Sequence, residues 1–228
     1  MFTGIVQGIA QVAEITDKEG LRSFTLEFPP GFCQDLEIGA SVACDGVCLT
    51  VTALKGDTRA DFDVMQQSLN LTTLGQLRPG SRINVERAAK DGAEIGGHPL
   101  SGHVDFMATV EGIRRPANNH VIRIAVPAPW MRYIFPKGYI AVNGASLTVA
   151  EAGRNADGSG WFEVWLIPET LRMTTFGDKD EGAPVHIEIE RQTQVMVDTV
   201  RDAVAERLGT LMPALRQFAK ERGLDLGE

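Results

Sequence analysis

The chain carries the same segment twice, and that repeat limits its fold more than any other feature. Gly46-Val47-Cys48-Leu49-Thr50-Val51 returns 98 positions later as Gly144-Ala145-Ser146-Leu147-Thr148-Val149. Thr3-Gly4-Ile5-Val6 returns at the same displacement as Ser101-Gly102-His103-Val104. Further on, Leu71-Thr72-Thr73-Leu74-Gly75 matches Met173-Thr174-Thr175-Phe176-Gly177 at a displacement of 102, so about four residues have been inserted in the second copy. The loop-like run Gly153-Arg154-Asn155-Ala156-Asp157-Gly158-Ser159-Gly160 supplies them. Ordered matches at a nearly constant displacement mean two copies of one structural unit.

Within each copy the pattern is that of strands. Asp45-Gly46 and Asn143-Gly144 favour positive φ and so a tight hairpin turn between apolar flanks. Phe62-Asp63-Val64-Met65 and Trp161-Phe162-Glu163-Val164-Trp165-Leu166 have the branched and aromatic content of half-buried strands. From His120 to Val126, Ile122, Ile124 and Val126 fall on the apolar face. Many short strands with frequent turns, in units of roughly 90–100 residues, predict two antiparallel barrels, because closure removes exposed edges. The period then changes: Val197, Val200, Val204, Leu208, Leu211, Leu215 and Phe218 step by threes and fours, which predicts an amphipathic helix. Gly209 and Pro213 predict that the main helix stops near Leu208, with a frayed or separate turn after it. Its apolar stripe could lie back on a barrel or bundle with the same helix of other subunits.

Composition narrows the function. A net charge of −8 opposes a nucleic acid or an anionic membrane as partner. No apolar run approaches the ~20 residues of a membrane span, and the first fifteen residues offer no Lys or Arg for a signal peptide, so a cytoplasmic protein is expected. Cys33, Cys44 and Cys48, odd in number and without a metal-ligand spacing, read as reduced thiols.

Familiar catalytic signatures are absent: no nucleophile elbow surrounds Ser146, and there is no phosphate loop or H-E-x-x-H pair. His98 and His103 stand five apart, a poor spacing for a shared metal, while His120 and His186 read as surface or strand-edge residues. The informative comparison is between the copies. Cys48 and Thr50 recur as Ser146 and Thr148, which suggests two similar sites for one kind of ligand. Holding two like molecules in register is worth up to ~7–11 kcal/mol in favourable cases, so few ionisable groups would be needed. The copies also differ: Ile5 becomes His103, and Gly39 becomes Lys137 unless Gly39 aligns with Gly138 instead. Histidine has the pKa suited to proton transfer near neutrality.

Several segments together resemble the trimeric riboflavin synthase family. They are Met1-Phe2-Thr3-Gly4-Ile5-Val6, the Asp45 to Val51 and Asn143 to Val149 turns, Val85-Glu86-Arg87-Ala88, Ile95-Gly96-Gly97-His98, Ser101-Gly102-His103-Val104 and Ile167-Pro168-Glu169-Thr170-Leu171. The resemblance covers nearly the whole chain. It implies an all-β fold of two tandem six-stranded antiparallel Greek-key β-barrels, residues 1–96 and 97–191, followed by an oligomerisation helix and tail, 192–228. It also implies a transferase that dismutates two molecules of 6,7-dimethyl-8-ribityllumazine without cofactor or metal. A four-carbon unit passes from one to the other, giving riboflavin and 5-amino-6-(D-ribitylamino)uracil. The family's active site forms between the first barrel of one subunit and the second of its neighbour in a homotrimer tied by the C-terminal helices. Association with lumazine synthase is a further expected partnership.

Carried over by position, the ligand-contacting segments of the first barrel are Gly4-Ile5-Val6, Cys48-Leu49-Thr50 and Asp63-Val64-Met65-Gln66-Gln67-Ser68. Those of the second are Gly102-His103-Val104, Lys137, Ser146-Leu147-Thr148 and Trp165-Leu166-Ile167-Pro168-Glu169-Thr170. His103, Ser146 and Thr148 are the expected proton-handling and nucleophilic groups, with Cys48 on the partner side. Two positions depart from the family: Val47 precedes Cys48, so no role for adjacent thiols transfers, and Pro99 replaces a larger apolar residue. The alternative reading is a non-catalytic lumazine or flavin carrier of the same fold. A flavin reductase is disfavoured because no G-x-G-x-x-G nucleotide fingerprint is present.

Overall fold

A computed structural model describes residues 1–117 and 119–222. The first copy contains β1 (Gly8–Lys18), β2 (Leu21–Glu27), β3 (Ser41–Cys44), β4 (Val47–Lys55), β5 (Arg59–Met65), a short helix α1 (Gln66–Leu71) and β6 (Arg82–Arg87). The second repeats it as β7 (Phe106–Arg114), β8 (His120–Val126), β9 (Tyr139–Val142), β10 (Ala145–Arg154), β11 (Gly160–Leu166), α2 (Pro168–Met173) and β12 (Pro184–Ile189). Each copy closes into a six-stranded antiparallel barrel. The cyclic order β1-β2-β5-β4-β3-β6 is matched by β7-β8-β11-β10-β9-β12.

Even the irregularities repeat. Bulges interrupt the ladders at Val12/Glu14 and Val51/Ala53, and again at Val110/Gly112 and Val149/Glu151. Such bulges add twist and help a small sheet close. The four inserted residues lengthen one hairpin: Lys55 pairs with Arg59, whereas the second copy adds the pair Arg154 with Gly160 around residues 155–159.

Apolar side chains alternate into each barrel. Phe24, Leu26, Phe62 and Ile83 are buried in the first, and Ile122, Ile124, Phe162 and Ile187 in the second. The registers equate Ala60 and Phe62 with Phe162 and Val164, so bulk has moved by one inward position while the core stays filled.

The barrels meet through reciprocal contacts. Phe2 N–H donates to the Leu100 carbonyl at 2.8 Å and Leu100 N–H to the Phe2 carbonyl at 2.9 Å. At the hairpin tips, a Cβ on Gly46 would fall 2.7 Å from the Gly144 nitrogen, and one on Gly144 would fall 2.8 Å from the Gly46 nitrogen. Both glycines have positive φ, so close approach and conformation each require glycine. This is an approximate twofold relation inside one chain.

Two expectations are corrected. His120 and His186 are 4% and 1% exposed, not surface residues; strand alternation alone could not show that one faces the second barrel's partner. The last helix, α3 (Arg191–Arg222), runs unbroken past Gly209 and Pro213. A proline removes one bond to the carbonyl four residues earlier, here Gly209, and on a solvent-exposed helix water can satisfy that group. Both barrels belong to one compact unit, Met1–Glu190, and α3 opens a second unit. Met196, Val200, Val204, Leu208, Leu211 and Phe218 on α3 are all about half exposed or more, whereas the side chain of Leu215 lies outside the described residues.

Candidate functional site

Each copy begins with a lead segment that crosses to the other barrel. The Gly4 carbonyl accepts the Ser146 N–H at 2.8 Å, and a Cβ on Gly4 would fall 2.5 Å from the Ser146 Cβ. Reciprocally, the Gly102 carbonyl accepts the Cys48 N–H at 2.8 Å, and a Cβ on Gly102 would fall 2.7 Å from the Cys48 Cβ. Val6 is part of the second barrel's core, and Val104 packs against the first. The grouping by barrel expected from sequence is therefore corrected: Gly4-Ile5-Val6 stand with Ser146, and Gly102-His103-Val104 with Cys48. A repeat fixes the register of a segment but not which copy it packs on.

Two buried carboxylates hold the leads in place. Glu86 accepts the Thr3 N–H at 2.6 Å, the Thr3 hydroxyl at 2.7 Å and the Gly4 N–H at 3.0 Å. Glu188 does the same for Ser101 N–H and hydroxyl, both at 2.7 Å, and for Gly102 N–H at 3.0 Å. Burial raises both carboxyl pKa values, while these donors favour the ionised form.

Beside the second barrel lies a cleft of about 280 Å³ lined by Gly4, Ile5, Val6, Ala145, Ser146, Leu147, Glu169, Thr170, Met173 and Thr174. It gathers seven of the expected site residues: Gly4, Ile5, Val6, Ser146, Leu147, Glu169 and Thr170. Thr148 and Trp165 are exposed and do not line it, and Ile167 and Pro168 are exposed at the start of α2. Glu169 is engaged by Arg172 at 2.9 Å and, through a second guanidinium nitrogen, 2.5 Å.

On the first-barrel side Cys48 is half-buried and Thr50, Asp63, Met65, Gln66, Gln67 and His103 are exposed, while Ser68 is half-buried. Asp63 lies 3.7 Å from the Lys18 ammonium and accepts the Ser23 hydroxyl. Leu49, Val64 and Leu166 are barrel-core residues, so only their backbone can meet a ligand.

Lys137 settles its own alignment. Its N–H donates to Val149 O at 2.7 Å, as Gly39 N–H does to Val51 O at 2.8 Å, and both have positive φ, 69° and 89°. A lysine held where the first copy has glycine accepts some backbone strain.

Sequence reasoning does not single out His98, which the structure brings against Ser146. Its Nδ1 lies 2.6 Å from Ser146 Oγ and its ring stacks on Tyr139, centroids 5.2 Å apart. The available signal was Gly96-Gly97 just before it, which permits close backbone approach.

Two closed barrels with exchanged leads, and a small cleft beside the second, define a duplicated β-barrel protein. The Lumazine binding domain family model matches residues 3–88 and 101–190, and the chain belongs to that family. It is 47% identical over 208 residues to the riboflavin synthase of Escherichia coli (strain K12), covering 91% of this chain and 95% of that one. It is 42% identical over 208 residues to the riboflavin synthase of Mycobacterium tuberculosis (strain ATCC 25618 / H37Rv), covering 89% and 100%. Among solved structures, LumP complexed with riboflavin superposes with a TM-score of 0.73 at 26% identity, covering 84% of this chain and 100% of that one. LumP complexed with 6,7-dimethyl-8-(1'-D-ribityl) lumazine superposes with a TM-score of 0.71 at 26% identity, with the same coverage.

Proposed function

We propose that this chain is a transferase that converts two molecules of 6,7-dimethyl-8-ribityllumazine into riboflavin and 5-amino-6-(D-ribitylamino)uracil. The observation that carries this reading is the reciprocal lead exchange at Ser146 and Cys48 in a chain that is 47% identical over 208 residues to a riboflavin synthase, covering 91% of its length. Two like sites suit a reaction that consumes two like molecules, one losing four carbons and the other gaining them.

The C7 methyl group of one lumazine must lose a proton before its carbon can attack the other. His103, beside Cys48 on the first-barrel side, is the group we assign to that proton. Ser146, in the second-barrel cleft, and Thr148, exposed on the same strand, are assigned to the opposite lumazine, one holding it and one assisting addition. Orientation supplies most of the rate in this scheme.

The two sites of one chain must then meet those of another copy. The exposed stripe of Val200, Val204, Leu208 and Leu211 on α3 suits a homotrimer in which a first-barrel site faces a neighbour's second-barrel site. A cytoplasmic location and association with lumazine synthase complete the reading.

Incubating the purified protein with 6,7-dimethyl-8-ribityllumazine alone should produce riboflavin absorbance. Tight binding without turnover would instead favour a carrier, the second reading, which the likeness to ligand-bound LumP supports.

A further inference from the structure

His98 lies in no strand of either barrel. It sits in residues 88–100, the connection between β6 and the second lead, and touches Ser146, which lines the second-barrel cleft. Gly97 brings the connection in: a Cβ there would fall 2.6 Å from the Ser146 Cβ and against the Thr3 carbonyl oxygen. Pro99 confines the backbone of His98 to extended conformations. The imidazole is 2% exposed, stacked on Tyr139, and has its Nδ1 2.6 Å from Ser146 Oγ.

Its other nitrogen, Nε2, is buried and has no hydrogen-bond partner among the described residues. Burial lowers the pKa of His98, against the pull of Glu190, so the ring is neutral at neutral pH and carries one proton. Placed on Nε2, that proton would be a buried donor with nowhere to go, the rarer kind of orphan. Placed on Nδ1, it is donated to Ser146 Oγ. The serine's own hydrogen is then left to point elsewhere, and the neighbouring open space is the cleft it lines.

We propose that His98 is a positioning residue that fixes the Ser146 hydroxyl as a hydrogen-bond donor into the second-barrel cleft, so that this cleft selects a heterocycle edge presenting an acceptor. The hydrogen bonds of the described residues give the Cys48 thiol no such partner, and a thiol is a weak donor. The twofold-related sites are thus chemically unequal, and the second-barrel cleft is the tighter of the two. This rests on the proposed lumazine chemistry of the site.

Equilibrium titration with riboflavin tests it, because the product binds without being consumed. His98→Phe keeps the ring stacked on Tyr139 but removes the donor. It should weaken one class of binding place about tenfold and leave the other unchanged, raising KM for the lumazine more than it lowers kcat. His98→Asn can present an N–H near the Nδ1 position and should restore most of the loss. In a Ser146→Ala background His98→Phe should change nothing further. Equal weakening at both places, an undiminished effect without Ser146, or no rescue by Asn would each overturn the assignment. If His98→Phe fails to fold, His98→Asn decides: near-native affinity at both places supports the role, and equal loss at both refutes it. Wild-type protein that neither binds riboflavin nor turns over the lumazine sinks the underlying function as well; normal wild-type behaviour with an indifferent His98→Phe sinks only this inference.

Discussion

His186 stands in the second copy where Asn84 stands in the first, and its imidazole makes the bonds of the carboxamide. Asn84 donates through Nδ2 to the Asn143 carbonyl at 3.0 Å and accepts the Thr175 N–H at 2.8 Å. His186 donates through Nδ1 to the Asp45 carbonyl at 2.8 Å and accepts the Thr73 N–H on Nε2 at 2.8 Å. Their backbone N–H groups cap Asp45 at 2.8 Å and Asn143 at 2.7 Å in the same way. Accepting on Nε2 requires a neutral ring, and burial lowers its pKa from 6.5 to about 4.

Stability should therefore depend on this imidazole. A lowered pKa gives stability that is full above 6.5 and is lost as pH falls through about 4. Asp45, raised by burial from 3.8 to about 6, acts in the opposite sense: its contribution is full below 3.8 and is lost as pH rises through about 6. His186→Asn should cost about 1–2 kcal/mol at pH 7.5, because the amide is shorter than the ring. It should recover on the order of 2–3 kcal/mol relative to wild type by pH 4. Thermal melts across that range check this; a constant difference between the two proteins would contradict it.

Gly46 and Gly144 touch across the approximate dyad. Gly46→Ala places a Cβ 2.7 Å from the Gly144 nitrogen at a φ of 82°, so neither barrel can relax without the other moving. A loss of at least ~2 kcal/mol is expected from conformation and clash together. Chemical denaturation should show it, with Gly20→Ala, at positive φ but with nothing within 4 Å, losing less.

His103 is exposed beside the Cys48 site, so its removal should leave the fold intact. His103→Ala should lower kcat about 10²–10⁴-fold, the usual range for a general base, with much less effect on riboflavin affinity. Parallel losses in rate and affinity would remove its assigned role.

Val204 is half exposed in the middle of α3. Val204→Glu should dissociate the assembly in light scattering, keep each chain's ligand affinity and depress turnover, because the partner site would be missing. An assembly of unchanged mass would refute the bundling role of the stripe.

The repeat, the hairpin tips at Asp45-Gly46 and Asn143-Gly144 and the position of the insertion were legible in the sequence because each has a local signature. The exchange of Gly4 and Gly102 was not, since a lead of a few residues fits either barrel by pattern alone. His186 reads as a surface residue because its alternation in β12 points it out of its own barrel, where the sequence offers no sign of a neighbour. Pro213 reads as a helix end from propensity, yet a long exposed helix can carry one missing bond. His98 was hidden by its place between the repeats, where comparison of the copies has nothing to compare.

The crossed leads have an evolutionary cost. Since Gly4 walls the Ser146 cleft and Gly102 the Cys48 side, any substitution that loosens the seam at Gly46 and Gly144 disturbs both proposed ligand places together. Duplication usually frees one copy to drift; here each half remains a hostage of its twin.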